Sequence, residues 1–372
     1  MREKNYKIIG WILIVIGLFF NPWVVEWLFS PDGKLDFWWK YAIIILAEVI
    51  LILIGTITFN RTLTKNTLFV LSYTKKKVKS KPFISICTII ICLIIFESIF
   101  FVLNISQEDI LIKFTKPSEK NALLGFWGIK NDSAQVAHYL KNGSQIFNVS
   151  YGHDLFGRRI NNHSDGKPLI LFGGSFTFGF GLNDNQTLNH FLSRISELDV
   201  YNYAFSTYGT QHMLVHLERK DFFSEINKTG GKAIYIFSKR DIRRTIGDLE
   251  MINRNYWKDM PYYKLENGEA IRAGTFELNR TWKTNWYKFI GKSNFVQYFN
   301  LRVPKDNDQH LMLVYKLIEK SKEVYEKKFG GEFLVLIHPF DKNKDLAKQL
   351  TELLQRNNIT MLEIKNDSNL KN

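Results

Sequence analysis

Apolar positions follow two different rhythms along the chain. Up to about position 105 they come in long runs, at 8–29, 41–59 and 83–105. Each run is long enough to cross a bilayer, which takes about 20 residues. Beyond that point short apolar runs alternate with segments whose apolar residues share one helix face. The runs at 168–172, 199–203, 232–237, 332–337 and 359–364 predict strands. Between them, Leu188, Phe191, Leu192 and Ile195 mark one helix, and Leu311, Val314, Ile318 and Tyr325 mark another. Asn185 or Thr187 is placed to cap the first. Gly330 and Gly331 stop the second. A further helix is expected at 211–223, and another carrying Leu346, Leu350, Leu353 and Leu354. Such alternation predicts an α/β fold, a doubly wound parallel sheet in three αβα layers. The expected domains are 1–107, with three transmembrane helices, and 108–372. The second contains an insertion at about 245–306 and a lead-in at 113–166 with short edge strands.

The basic residues orient the three apolar runs. Arg2, Lys4 and Lys7 precede the first, and the 60–82 loop holds Arg61, Lys65, Lys75, Lys76, Lys77, Lys79 and Lys81 with no acid. The positive-inside rule then puts the N-terminus and that loop in the cytoplasm. The expected localisation is multi-pass in the bacterial cytoplasmic membrane, with a lipid bilayer as partner and the C-terminal domain extracytoplasmic. No small-residue cleavage site follows the first run, which argues against a signal peptide. Glu48 and Glu97 lie within the second and third runs. They are expected to join the helices through Thr56, Ser98 or each other.

Charge and composition narrow the partners. The chain has 372 residues, 45% hydrophobic and 23% charged, with a formal net charge of +14. The excess lysine lies beside the apolar runs, and no zinc spacing, RNA-binding aromatic signature or Walker loop is present, so nucleic acid is not an expected partner. The two cysteines, Cys87 and Cys92, sit together in one apolar run and form no disulfide framework. No metal and no organic cofactor is implied.

The strongest chemical signal is Leu169-Ile170-Leu171-Phe172-Gly173-Gly174-Ser175-Phe176-Thr177-Phe178-Gly179. A buried strand that stops at two glycines lifts the next side chain onto the carboxyl edge of the sheet, where α/β enzymes place their chemistry. The stretch Gly173 to Thr187 resembles the first block of the SGNH (GDSL-type) hydrolase superfamily, in its membrane-anchored bacterial form. The resemblance makes Ser175 the nucleophile, with Gly174 standing where many members have aspartate. Val200 to Leu214 resembles the second block. Asn202 matches its opening asparagine, and Thr207 replaces the oxyanion glycine, with Gly209 two residues on.

The remaining blocks depart from the family. After the third strand the chain reads Ser238-Lys239-Arg240-Asp241-Ile242-Arg243-Arg244, without the expected asparagine. Arg240 and Arg244 are the candidates there, for an anionic sugar or for developing negative charge. No late Asp-x-x-His follows the last strand. Of eight histidines, His338 is the best substitute base, with Asp341 nearby, and His153 and His212 are weaker. His338 belongs two strands away from Ser175, about 10 Å at roughly 4.8 Å per strand. The insertion holds Trp257, Tyr262, Tyr263, Trp282, Trp286, Tyr287 and Phe289. They are expected mainly to pack the insertion, with stacking on sugar faces as the alternative.

The resemblance implies a serine esterase or acyltransferase acting on O-acyl groups of a cell-envelope glycan or a small ester, with a catalytically degenerate form as the variant reading. The alternatives are a non-catalytic glycan-binding or scaffolding protein and, resting only on Glu48 and Glu97, a small membrane sensor or transporter.

Overall fold

The computed structural model describes residues 10–11, 13–15, 17–18, 38–59, 93–94, 96–103, 110–114, 118–140, 142–254, 257–341 and 345–362. The chain forms two compact units. One comprises 1–106 with 292–305, the other 107–291 with 306–372.

In the first unit, helix α1 spans Trp38–Phe59. A Cβ on Gly55 would lie 2.9 Å from the Gly10 carbonyl oxygen and 2.7 Å from Ile14 Cγ1. Glycine is what lets these two helical segments approach so closely. The three-span expectation is corrected here. Among the described residues, no helix is long and apolar enough to cross a membrane. The described parts of the other two runs are shorter than the roughly 20 residues a span requires. The rest of those runs and the basic 60–82 loop lie outside the described residues. The multi-pass localisation and the topology drawn from it fall with the spans.

Glu97 also has different partners from those expected. Its carboxylate accepts the Ser293 hydroxyl at 2.5 Å and the Asn294 amide at 2.6 Å. Thr56 and Ser98 instead bond back to carbonyls of their own helices, those of Ile52 and Ile94. Phe100 packs against Phe295, Tyr298 and Phe299 at ring-centroid distances of 5.1, 5.3 and 5.5 Å. The end of the insertion thus belongs to the first unit.

The second unit opens with short antiparallel strands: β1 (Ile110–Phe114), β2 (Ser118–Asn121), β3 (Gly125–Gly128), β4 (Ser133–Leu140) and β5 (Gln145–Gly152). β1, β4 and β5 form one sheet, and β2 pairs with β3. The lead-in therefore holds more strand than its sequence suggests.

The α/β core follows. Its strands are β6 (Pro168–Gly173), β7 (Asp199–Asn202), β8 (Lys232–Phe237), β11 (Glu332–Ile337) and β12 (Met361–Leu362). The insertion contributes a separate hairpin, β9 (Pro261–Glu266) with β10 (Glu269–Thr275). The core sheet has five strands in the order β12-β11-β8-β6-β7, all parallel. The helices that matter below are α2 (Ser175–Phe178), α3 (Leu188–Ile195), α4 (Thr210–Glu218), α5 (Arg240–Ile246), α6 (Thr281–Ile290), α7 (Asp308–Phe329) and α8 (Asp345–Arg356). Thr187 caps α3 through its hydroxyl.

Alternate side chains of the strands point to opposite faces. Leu169, Leu171 and Val200 pack with Leu192 of α3. Ile170, Phe172, Tyr235, Phe237 and Val335 join the larger core with Leu214 of α4 and Val314 of α7. From β6 the chain steps outward to β7, then returns across β6 to β8. That reversal is a topological switch point, the place beyond the carboxyl ends of β6 and β8 where open α/β sheets bind ligands.

Candidate functional site

The turn after β6 is set by two glycines with different jobs. Gly173 has φ +156°, and a Cβ on it would lie 2.2 Å from Thr177 Oγ1. Gly174 has φ −97° and ψ −147°. What a side chain there would meet is Arg244, whose Nη1 lies 2.3 Å from the built Cβ position. Ser175 follows as the first residue of α2 and is partly exposed. Its hydroxyl and its amide have no hydrogen-bond partner among the described residues.

The turn after β7 supplies the facing wall. The buried Asn202 side chain donates 2.9 Å bonds to the Thr177 carbonyl and to Asn189 Oδ1, and accepts the Ala204 amide. It ties the Ser175 turn to the end of β7. Thr207 then has φ +74°. A β-branched residue in the left-handed region is a genuine outlier, and such strain gathers at functional sites. Its hydroxyl donates to the Ser206 carbonyl, and its amide has no partner among the described residues. The Gly209 amide faces the His212 imidazole, 3.1 Å from Nδ1. Of the two amides expected to hold an oxyanion here, Thr207's is open and Gly209's is engaged. A Cβ on Gly174 would lie 3.4 Å from the Tyr208 carbonyl oxygen, so the two turns adjoin.

The basic cluster splits. Arg240 opens α5 and is exposed. Arg244, one turn later, is buried at 6% exposure. Its Nη1 donates to the Tyr208 carbonyl at 3.1 Å and to Asp241 Oδ1 at 3.0 Å. Burial pushes the Asp241 carboxyl up, and the Arg244 charge opposes that. Arg243 turns the other way, to Asp248 and Glu250.

His338 extends the β11 ladder by donating its amide to the Phe237 carbonyl at 2.8 Å. Its ring stacks on Phe176, next to Ser175, with centroids 4.1 Å apart. β11 is two strands from β6, as expected. His338 Nδ1 lies 3.4 Å from the Phe340 amide. Asp341 is buried and accepts the Ser238 hydroxyl and the Lys239 amide, both at 2.9 Å. It pins the loop after β11 to the loop after β8.

The other candidate histidines are core residues. His153 is buried between Phe178 and Phe205, neither ring nitrogen has a hydrogen-bond partner, and burial followed by the Arg159 charge holds its pKa down to about 4. His212 stacks on Tyr208 at 3.9 Å and is held down to about 3 by burial.

One support was missed in the sequence. Buried Arg159 donates from Nε to Asp184 Oδ1 and from Nη2 to the Leu182 carbonyl, both at 2.7 Å. Asp184 also accepts the Gly152 amide. This bridge holds the loop after Ser175 against the end of β5. The signal available was an arginine pair within an aromatic-rich stretch, without a stated partner.

The insertion aromatics divide as well. Trp257, Tyr263 and Tyr287 are buried, whereas Trp282 and Phe289 on α6 are 81% and 70% exposed. Trp286 lies between those two and stacks with both, at 6.3 and 5.9 Å.

No protein-family model matches the chain, and no curated protein matches it.

Proposed function

We propose that the chain is an SGNH-like serine esterase or O-acyltransferase acting on O-acyl esters of a glycan or a small alcohol. Ser175 Oγ attacks the ester carbonyl and its proton passes through one bridging water to the His338 imidazole. The carbonyl electron pair moves onto oxygen, which the Ser175 and Thr207 amides receive. Collapse breaks the bond to the alcohol, which takes the proton from His338 and leaves the acyl group on Ser175. Water or a sugar hydroxyl then attacks that acyl-enzyme by the same route. A serine needs such a base and such donors to react.

The observation that carries this reading is that two adjoining turns at the switch point, in contact at Gly174 and Tyr208, carry an unpaired hydroxyl and two unpaired amides. The test is labelling by a fluorophosphonate probe together with p-nitrophenyl acetate turnover. Both are expected in the native chain and absent from Ser175→Ala. Neither signal in folded native protein would end the reading.

A second reading, binding of acylated glycan without turnover, is favoured by the stacked and exposed Trp282, Trp286 and Phe289, and by a Ser175 hydroxyl that no histidine contacts directly. It predicts retained glycan binding in Ser175→Ala and loss in Trp282→Ala/Trp286→Ala, measured by calorimetry with an O-acetylated oligosaccharide.

A further inference from the structure

We propose that Arg244 is a third oxyanion donor, reaching the reacting oxygen across the space that Gly174 leaves empty. The inference rests on the esterase reading and deepens it. At Gly174 the guanidinium stands where a side chain would go, with Nη1 2.3 Å from the built Cβ position. Glycine at this position and arginine at 244 therefore belong together.

The guanidinium is held on one side only. Nη1 spends its hydrogens on the Tyr208 carbonyl and Asp241. The N–H groups on Nε and Nη2 have no partner among the described residues, yet they are not sealed from solvent. Asp241 is fixed in turn by the Ser238 amide and the Tyr235 hydroxyl. A buried cation whose fork is oriented by fixed acceptors and open on its other edge is preorganised for a developing negative charge. It lies against the residue before Ser175 and bonds the carbonyl after Thr207, the two residues whose amides are open. In the acylation step the Oγ–carbon bond forms, the Oγ proton goes to the base, and the carbonyl π pair becomes the oxyanion. Arg244 donates to that oxyanion without exchanging a proton. When the intermediate collapses, the charge leaves with the departing alkoxide, which is protonated by the base.

The experiment compares kcat and KM for p-nitrophenyl acetate, a neutral ester, in the native chain, Ser175→Ala, Arg244→Ala, Arg244→Lys and Gly174→Ala, each checked for folding by circular dichroism. Arg244→Ala is expected to lower kcat by about 100- to 1,000-fold with little change in KM. Millimolar methylguanidine is expected to restore at least tenfold of that loss in Arg244→Ala and nothing in Ser175→Ala. Arg244→Lys, which keeps the charge but not the fork, should recover only part. If Arg244→Ala does not fold, Gly174→Ala decides, because it displaces the guanidinium while keeping every charge, and a kcat loss of at least tenfold is expected. A folded Arg244→Ala or Gly174→Ala with native kcat, a change confined to KM, or no rescue by methylguanidine would overturn the proposal while leaving the Ser175 esterase in place. A native chain without Ser175-dependent turnover would remove the esterase reading itself, and this donor with it.

Discussion

The turns after β6 and β7 solve the same problem in opposite ways. At Gly174 the chain uses a glycine at negative φ, and a guanidinium occupies the space a side chain would need. At Thr207 it uses a β-branched residue at φ +74°, where glycine would be relaxed. In the first turn a side chain would displace the guanidinium, and in the second the backbone bears the cost of keeping a Cβ. A left-handed non-glycine residue costs of order 1–3 kcal/mol and persists only when its surroundings fix it. The Tyr208 side chain supplies that support, with its hydroxyl on the Phe126 carbonyl and its ring on His212.

The contrast gives graded predictions. Ser175→Ala removes the group both turns surround, and a loss of about 10³-fold or more in turnover is expected, read by initial rates. The next effect separates the turns by what they rest on. His212 lies under the second turn, and both it and His153 are buried and neutral, with folded pKa values of about 3 and 4. Below the unfolded histidine value of about 6.5 the unfolded chain binds more protons, so stability falls as pH drops. Between pH 6.5 and 5 each histidine is expected to cost up to about 2 kcal/mol, measured by urea unfolding at both pH values. Asp241 and Asp248, whose carboxyls burial holds above their ordinary value, offset part of this nearer pH 4. A chain equally stable at pH 7 and pH 5 would break the account of the second turn.

Gly174→Ala is expected to lose about 1–3 kcal/mol through the clash with Arg244, visible as a lower urea midpoint. Thr207→Gly should gain about 1 kcal/mol, as relief of left-handed strain outweighs the added freedom of the unfolded chain. A loss there would mean that the Thr207 side chain stabilises more than its conformation costs. Trp282→Ser, on the exposed face of α6, is expected to stay within about 0.5 kcal/mol in thermal melts.

Much of the sheet was readable because strand signals are local. The β8 and β11 limits follow from the apolar runs 232–237 and 332–337, and α7 from its one-sided pattern. Ser175 at the end of β6 follows from the glycine pair after a buried run. The expected helix at 211–223 divides into α4 and a short helix at Phe222–Ile226, because Arg219 leaves the helical path and its side chain turns to Asp221 and Glu225. What could not be read depends on tertiary distance. Nothing local links Gly174 to Arg244, 70 residues later, or Phe176 to His338. Hydropathy misled at the N-terminus, where apolar runs predicted spans that the described helices do not provide. The same windows are silent on Glu97, whose partners Ser293 and Asn294 come from the far end of the insertion.

That last contact has a practical consequence. The polypeptide passes between the two units at 106–107, 291–292 and 305–306. Removing the first 106 residues would not liberate a clean second unit. It would leave Phe295, Tyr298 and Phe299 wet, with the Ser293 hydroxyl robbed of its carboxylate, and the excised piece would stick to itself. Excision has to take the 292–305 flap as well and rejoin 291 to 306 with a short polar bridge.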